Sequence, residues 1–191
     1  MSYSKMLNAI KENTKLKNNI KENFKVVEVI KNQIFQTLSN KGKIFLCGNG
    51  GSAADAQHLA AELMVRLRPK INRNSYPVIS LALDVSTLTA CSNDYGYKNI
   101  FSRPLAALGA KNDILIVIST SGNSQNIIEV LKLAKKKEII SIGFLGNKGG
   151  KAKDLCNLKY IVPSNNVARI QEAHIFLGHL IFELVEDQLI K

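Results

Sequence analysis

The sequence has no apolar run approaching the roughly 20 residues that a membrane-spanning helix needs. Its opening residues, Met1-Ser2-Tyr3-Ser4-Lys5-Met6, also lack the apolar stretch of a signal peptide. These absences predict a soluble, cytoplasmic protein with no membrane partner. Cysteine is scarce: Cys47, Cys91 and Cys156 are an odd number, and no two stand in CxxC spacing. That argues against a disulfide framework and against a thiolate zinc site, and leaves three small core residues. Aromatics are few, at 6%, and do not accompany the lysines, so the net charge of +11 lacks the stacking partners of a nucleic-acid site. Helix-turn-helix and RNA-binding signatures are missing too. The densest basic run, KLAKKK at 132–137, falls at the end of a predicted helix, where lysines complement the dipole and face water. Anionic small molecules remain as the ligand class.

What is present fits one domain, because 191 residues at 46% hydrophobic suffice for one compact core and are too few for two ordinary ones. Residues 3–39 carry apolar side chains at helical spacing, as in Phe24, Val27, Ile30, Ile34 and Leu38, with no glycine or proline between them. This predicts a helical segment over 1–40, with one or two amphipathic helices. From 41 to 191 the pattern changes to five short apolar runs, at 44–47, 78–83, 114–118, 139–145 and 158–162, with helix-like stretches in most of the intervals. Strands without polar alternation are buried on both faces, so the expectation is an α/β fold: a five-stranded parallel sheet flanked by helices on both faces and closed by a helix at 169–189. In such sheets ligands bind beyond the carboxyl ends of the strands.

Two loops fall there. The first follows Asp113-Ile-Leu-Ile-Val-Ile118 and reads Ser119-Thr120-Ser121-Gly122-Asn123-Ser124, ahead of a helix at 125–137. Free backbone N–H groups and the positive end of the helix dipole favour an anion, and four hydroxyls can donate to phosphate oxygens. An ordinary N-cap would need only one serine. The second loop, Cys47-Gly48-Asn49-Gly50-Gly51-Ser52, is neither a Walker loop nor a GxGxxG fingerprint. Its glycines permit either close approach to a ligand or merely a tight turn. Ser52 and Asp55 read as a capping pair for the helix that follows.

That helix carries His58 and Glu62 four residues apart, hence on one face. On its own this is either an exposed pair or half of a site. With Gln171 and His179 on the closing helix, it becomes a set of nitrogen and oxygen ligands that zinc accepts. Spacing opposes the full set, because eight residues of straight helix separate Gln171 from His179 by about 12 Å.

CGNGGSAADAQHLAAEL at 47–63, CSNDYGY at 91–97, STSGNS at 119–124, GGKAKDLC at 149–156 and RIQEAHIFLGHL at 169–180 together resemble the SIS-type sugar isomerases, and within them the phosphoheptose isomerases. The resemblance spans nearly the whole chain. It implies a single SIS domain, a homotetramer, and conversion of sedoheptulose 7-phosphate to D-glycero-D-manno-heptose 7-phosphate, the first step toward activated heptose for lipopolysaccharide or capsule. It further implies substrate contacts at Asn49, Gly50, Gly51, Ser52, Asn93, Asp94, Ser119, Thr120, Ser121, Ser124, Gln171 and, one turn beyond Glu62, Arg66. It implies Glu62 and His179 as the catalytic pair, and Zn2+ on His58, Glu62, Gln171 and His179. The segment Asn165-Asn166-Val167-Ala168 departs from the family pattern. Two other readings share the motifs: a non-enzymatic SIS-fold protein that binds the bacterial replication initiator, and an isomerase of another ketose phosphate. The first has no use for Glu62 and His179, both of which are here.

Overall fold

The computed structural model describes residues 2–190. The amino-terminal segment forms two helices, α1 (Ser2–Glu22) and α2 (Phe24–Ser39). The break falls at Asn23, whose side-chain Nδ2 donates back to the Asn19 carbonyl at 2.8 Å. Then follow β1 (Ile44–Gly48), α3 (Gly51–Met64), β2 (Val78–Ser80), α4 (Val85–Tyr95), α5 (Ser102–Leu108), β3 (Ile114–Ser119), α6 (Gln125–Lys136), β4 (Ile140–Gly146), β5 (Leu158–Val162) and α7 (Val167–Leu189). Short 3-10 turns occupy Tyr97–Asn99 and Lys151–Asp154.

All five strands pair in parallel, in the order β2-β1-β3-β4-β5. The period of two along each strand divides the core. Ile44, Leu46, Ile114, Ile116, Ile118, Ile142 and Phe144 pack with residues of α1, α2, α3 and α7. Phe45, Cys47, Leu115, Val117 and Leu145 face the other way, onto Leu105 of α5 and Ile127, Val130 and Leu131 of α6. Both faces are thus covered, and β1 and β3 are buried along their whole length, as the sequence pattern requires, whereas the edge strand β5 exposes Lys159. Cys47, Cys91 and Cys156 are free and buried, and burial pushes the Cys156 thiol up to about 12. They pack in the core as expected. Lys135 and Lys136 form the last turn of α6.

One boundary differs appreciably. β2 stops at Ser80 rather than running on to 83, because the Ala82 N–H turns back onto Ser80 Oγ at 3.2 Å and Leu83 is exposed. Among the described residues no helix is long and apolar enough to cross a membrane. His174, on α7, is fully buried against Phe144, their ring centroids 6.4 Å apart. Burial pushes its imidazole down to about 4, against a weaker opposing pull from the Leu145 main chain. It is a neutral core residue.

Candidate active site

The strand order reverses between β1 and β3, so the loops leaving these two strands diverge to opposite faces of the sheet and leave a crevice between them. One is the glycine loop and the other the serine loop. At the glycine loop the capping expectation is corrected. The residue before α3 is Gly50, at φ 57° and ψ −123°, and no side chain caps the helix. Ser52 lies within the first turn, buried against the end of β1. Asp55 sits a turn further on. Burial pushes its carboxyl up to about 6, opposed by His58, and its Oδ2 has no hydrogen-bond partner among the described residues.

The serine loop is held by its own hydroxyls and by the segment after β4. Ser119 Oγ accepts from the Gly122 N–H at 3.1 Å, and Ser121 Oγ from the Asn123 N–H at 3.2 Å. Gly122 has a φ of +64°, and a Cβ there would collide with the Gly149 carbonyl. The Ala152 N–H donates to the Gly122 carbonyl at 2.9 Å, and the Lys151 N–H to Asn123 Oδ1 at 3.0 Å. The GGKAKDLC segment is therefore the buttress of the loop. Ser124 is the residue before α6, yet its side chain makes no capping bond. Its hydroxyl thus remains for a ligand at the positive end of the helix. Asn93 and Asp94 end α4 at an exposed position, where Asn93 Nδ2 donates to Asp94 Oδ1 at 2.8 Å.

The third part of the site lies where α3 meets α7. Gly178 allows the helices to close: a Cβ there would collide with Leu59. This brings His58 Nε2 to 2.8 Å from His179 Nε2, with the rings edge to face, while helical spacing within α3 puts it 3.3 Å from Glu62 Oε1. The ligand-type atoms of His58, Glu62 and His179 all lie within 4.8 Å of one another. His58 is half exposed, whereas the Glu62 side chain is 15% exposed, so the carboxylate is largely shielded from water while the rings stay reachable.

Two residues expected with this trio stand elsewhere. The carboxamide of Gln171 lies against Gly51, its Nε2 2.7 Å from where a Cβ of that glycine would be. Because α7 is continuous from Val167 to Leu189, His179 is about 12 Å further along the axis, and within one chain Gln171 does not join the three. Arg66 is exposed and lies beyond α3, which ends at Met64. A different arginine governs that end. Arg73, nearly buried, donates from Nη2 to the Glu62 carbonyl at 2.7 Å and from Nη1 to the Leu63 carbonyl at 2.9 Å. Its Nε meets Glu186 Oε1 at 2.7 Å, and Arg68 Nε meets the other oxygen at 2.6 Å. Arg73, Glu186 and Asp55 are not legible in these roles from the sequence, because the ion pair that joins the first two spans 113 residues.

A SIS-domain family model matches residues 9–146. A phosphoheptose isomerase of Aliarcobacter butzleri is 51% identical over 154 residues, 81% of this chain and 80% of that protein. One from Clostridium acetobutylicum is 47% identical over 163 residues, 85% of this chain and 82% of that protein. The structure of a phosphoheptose isomerase from Neisseria gonorrhoeae superposes with a TM-score of 0.87 at 36% identity, covering 97% of each chain.

The free hydroxyl of Ser124 sets up a test. Replacing Ser121 and Ser124 together by alanine should weaken inorganic phosphate binding by about tenfold or more in calorimetry. Unfolding stability should fall by well under the roughly 1 kcal/mol of a working cap. Undiminished phosphate affinity in the double variant would remove the serine loop from the phosphate site.

Proposed function

Because this chain belongs to the SIS-domain phosphoheptose isomerases, we propose that it interconverts D-sedoheptulose 7-phosphate and D-glycero-D-manno-heptose 7-phosphate, with Glu62 and His179 as the proton-transfer pair. The product is the precursor of activated heptose for lipopolysaccharide or capsule. The observation that carries the assignment of roles is the meeting of His58, Glu62 and His179 across α3 and α7.

An aldose–ketose interconversion needs a proton to leave C1 of the ketose, charge to pass to the carbonyl oxygen as an ene-diolate, and a proton to return at C2. Glu62, a shielded carboxylate, takes the first proton, and His179 protonates or hydrogen-bonds the oxygen where charge develops. The phosphate, remote from these carbons, is held by Ser119, Thr120, Ser121 and Ser124. Asn49, Gly50, Gly51, Ser52, Asn93 and Asp94, at the same sheet edge, take the sugar.

Two imidazole nitrogens and a carboxylate oxygen gathered at one point match the donor set of a three-ligand zinc site with an open position, so the residues present fit the metal. His58, Glu62 and His179 would hold it, and it would supply Lewis-acid polarisation of a sugar oxygen, with Glu62 able to act as base only when its carboxylate is not engaged by the metal. Gln171 stands beside the glycine loop rather than with the trio. A site drawing the trio from one copy of the chain, and the loops with Gln171 from another, reconciles the four-residue ligand set with the continuous α7. Exposed Tyr3, Met6 and Ile10 on α1 support such an assembly, a homotetramer built through the amino-terminal helices. The enzyme works in the cytoplasm, in keeping with its three free cysteines. A monomer by light scattering at micromolar concentration would contradict the assembly.

Purified protein should convert sedoheptulose 7-phosphate in preference to fructose 6-phosphate. Glu62→Gln, which keeps shape but removes basicity, should lower turnover by roughly 100-fold or more with the fold intact. Substantial turnover in that variant would take the base role from Glu62. For the metal, chelation should reduce activity or thermal stability, and added zinc should restore it. A fully active preparation without metal by elemental analysis would leave the acid/base pair and remove zinc.

A further inference from the structure

Asn49 stands at the turn of the glycine loop, half-buried, one residue after β1. Its carboxamide pairs edge to edge with that of Asn126, in the first turn of α6, through two crossed hydrogen bonds. Asn49 Nδ2 donates to Asn126 Oδ1 at 2.9 Å, and Asn126 Nδ2 donates to Asn49 Oδ1 at 2.8 Å. Asn126 is 1% exposed, so the pair is shielded from competing water on that side. A pair of this kind could in principle be turned over, exchanging every N for O. The main chain forbids it, because the Ile127 N–H donates to Asn126 Oδ1 at 2.9 Å and an N–H can meet only an acceptor. Asn126 is thereby fixed, and it fixes Asn49 in turn. The Tyr97 hydroxyl then donates to Asn49 Oδ1 at 2.9 Å, giving that oxygen two donors.

The count of hydrogen-bonding capacity is decisive. A primary amide has two N–H donors and an oxygen with two lone pairs. The oxygen of Asn49 is saturated by Asn126 and Tyr97, and one of its two N–H groups is committed to Asn126. One N–H remains. We infer that Asn126 is a positioning residue for the isomerase, which links the glycine loop to the helix of the serine loop and presents Asn49 to the sugar phosphate as a single N–H donor, with Tyr97 as the second member of the clamp. The ligand atom that Asn49 meets is accordingly an acceptor: a hydroxyl, carbonyl or phosphate oxygen.

Tyr97 suits its part. Its ring lines a cavity of about 290 Å³ together with Ala53, Leu88, Ile100 and Phe101, beside Asn49 and Gly50. The ring forms one wall of that cavity and stays largely exposed, with its hydroxyl on the loop. Three separate segments of chain thus meet at one carboxamide: the loop after β1, the start of α6 and the turn after α4.

This inference rests on the proposed isomerisation, and the test keeps the two apart, since wild-type turnover of sedoheptulose 7-phosphate reads the reaction and variant-to-wild-type ratios read the clamp. In Asn126→Asp, the introduced carboxylate accepts from Ile127 and Asn49 but cannot donate to Asn49 Oδ1. Near pH 8 its kcat/KM should fall about tenfold or more below wild type. On lowering the pH toward about 5.5 the introduced carboxyl, its pKa raised by burial, regains an O–H donor of the same shape. The ratio to wild type should then recover several-fold. Tyr97→Phe should lower kcat/KM by about two- to fivefold, with no recovery at low pH. Inhibition by inorganic phosphate, which reads the serine loop and any repulsion from the charge introduced at the start of α6, should stay within about twofold of wild type in Tyr97→Phe and weaken by less than kcat/KM in Asn126→Asp. An Asn126→Asp deficit that is absent or flat with pH would overturn the inference, as would phosphate inhibition that weakens in step with it. Should Asn126→Asp fail to fold, Tyr97→Phe stands alone: unchanged kcat/KM in that variant would overturn the clamp.

Discussion

The contact of α3 with α7 at Gly178 is the constraint from which the chemistry of this site follows. Interiors pack to near-crystalline density, so helix separation is set by the largest side chain at the crossing. Here one partner is Leu59 and the other has no side chain. The resulting approach lets the imidazole nitrogens of His58 and His179 meet at 2.8 Å. A methyl group at 178 would separate the helices and, with them, the two halves of the proposed acid/base pair.

α3 links the parts of the site. Its first turn closes the glycine loop, its middle carries His58, and its last turn carries Glu62, with the carbonyls of Glu62 and Leu63 held by Arg73, itself anchored on the buried Glu186. A buried carboxylate flanked by two guanidiniums costs much to break, about 3–5 kcal/mol when one partner is removed. The turn that bears Glu62 is therefore among the most firmly fixed of the helix. Binding and chemistry are meanwhile separated. In the proposed mechanism the serine loop, braced by the segment after β4, grips a group that does not react, and binding of that kind serves ground and transition states alike. Discrimination between them falls to the trio.

The parts of this arrangement governed by short-range periodicity were legible in the sequence. The strands at 114–118 and 158–162 differ from the structure by at most one residue, since runs such as Ile114-Leu-Ile-Val-Ile118 leave little choice. The approach of His58 to Glu62 follows from helical spacing alone, and so does the distance problem of Gln171, which the unbroken α7 upholds. Errors came where local rules compete. Ser52 has the chemistry of a cap, but Gly50, with its positive φ, takes the cap position two residues earlier and leaves Ser52 inside the helix and turned inward. β2 ends before its apolar run does, because a serine hydroxyl two residues back captures the Ala82 N–H. Asn126 was invisible for another reason. A polar residue at the start of a helix looks solvated, and nothing local indicates a partner 77 residues away.

The central claim is that Glu62 and His179 move a proton between C1 and C2 through an ene-diol. Conversion of sedoheptulose 7-phosphate in heavy water tests it most directly, with deuterium in the aldose product read by mass spectrometry and NMR. Proton transfer through Glu62, whose carboxyl can exchange its proton with solvent by way of the half-exposed His58 beside it, predicts solvent deuterium at C2. An aldose formed at full rate with no deuterium at C2 would indicate a direct hydride shift and contradict the account.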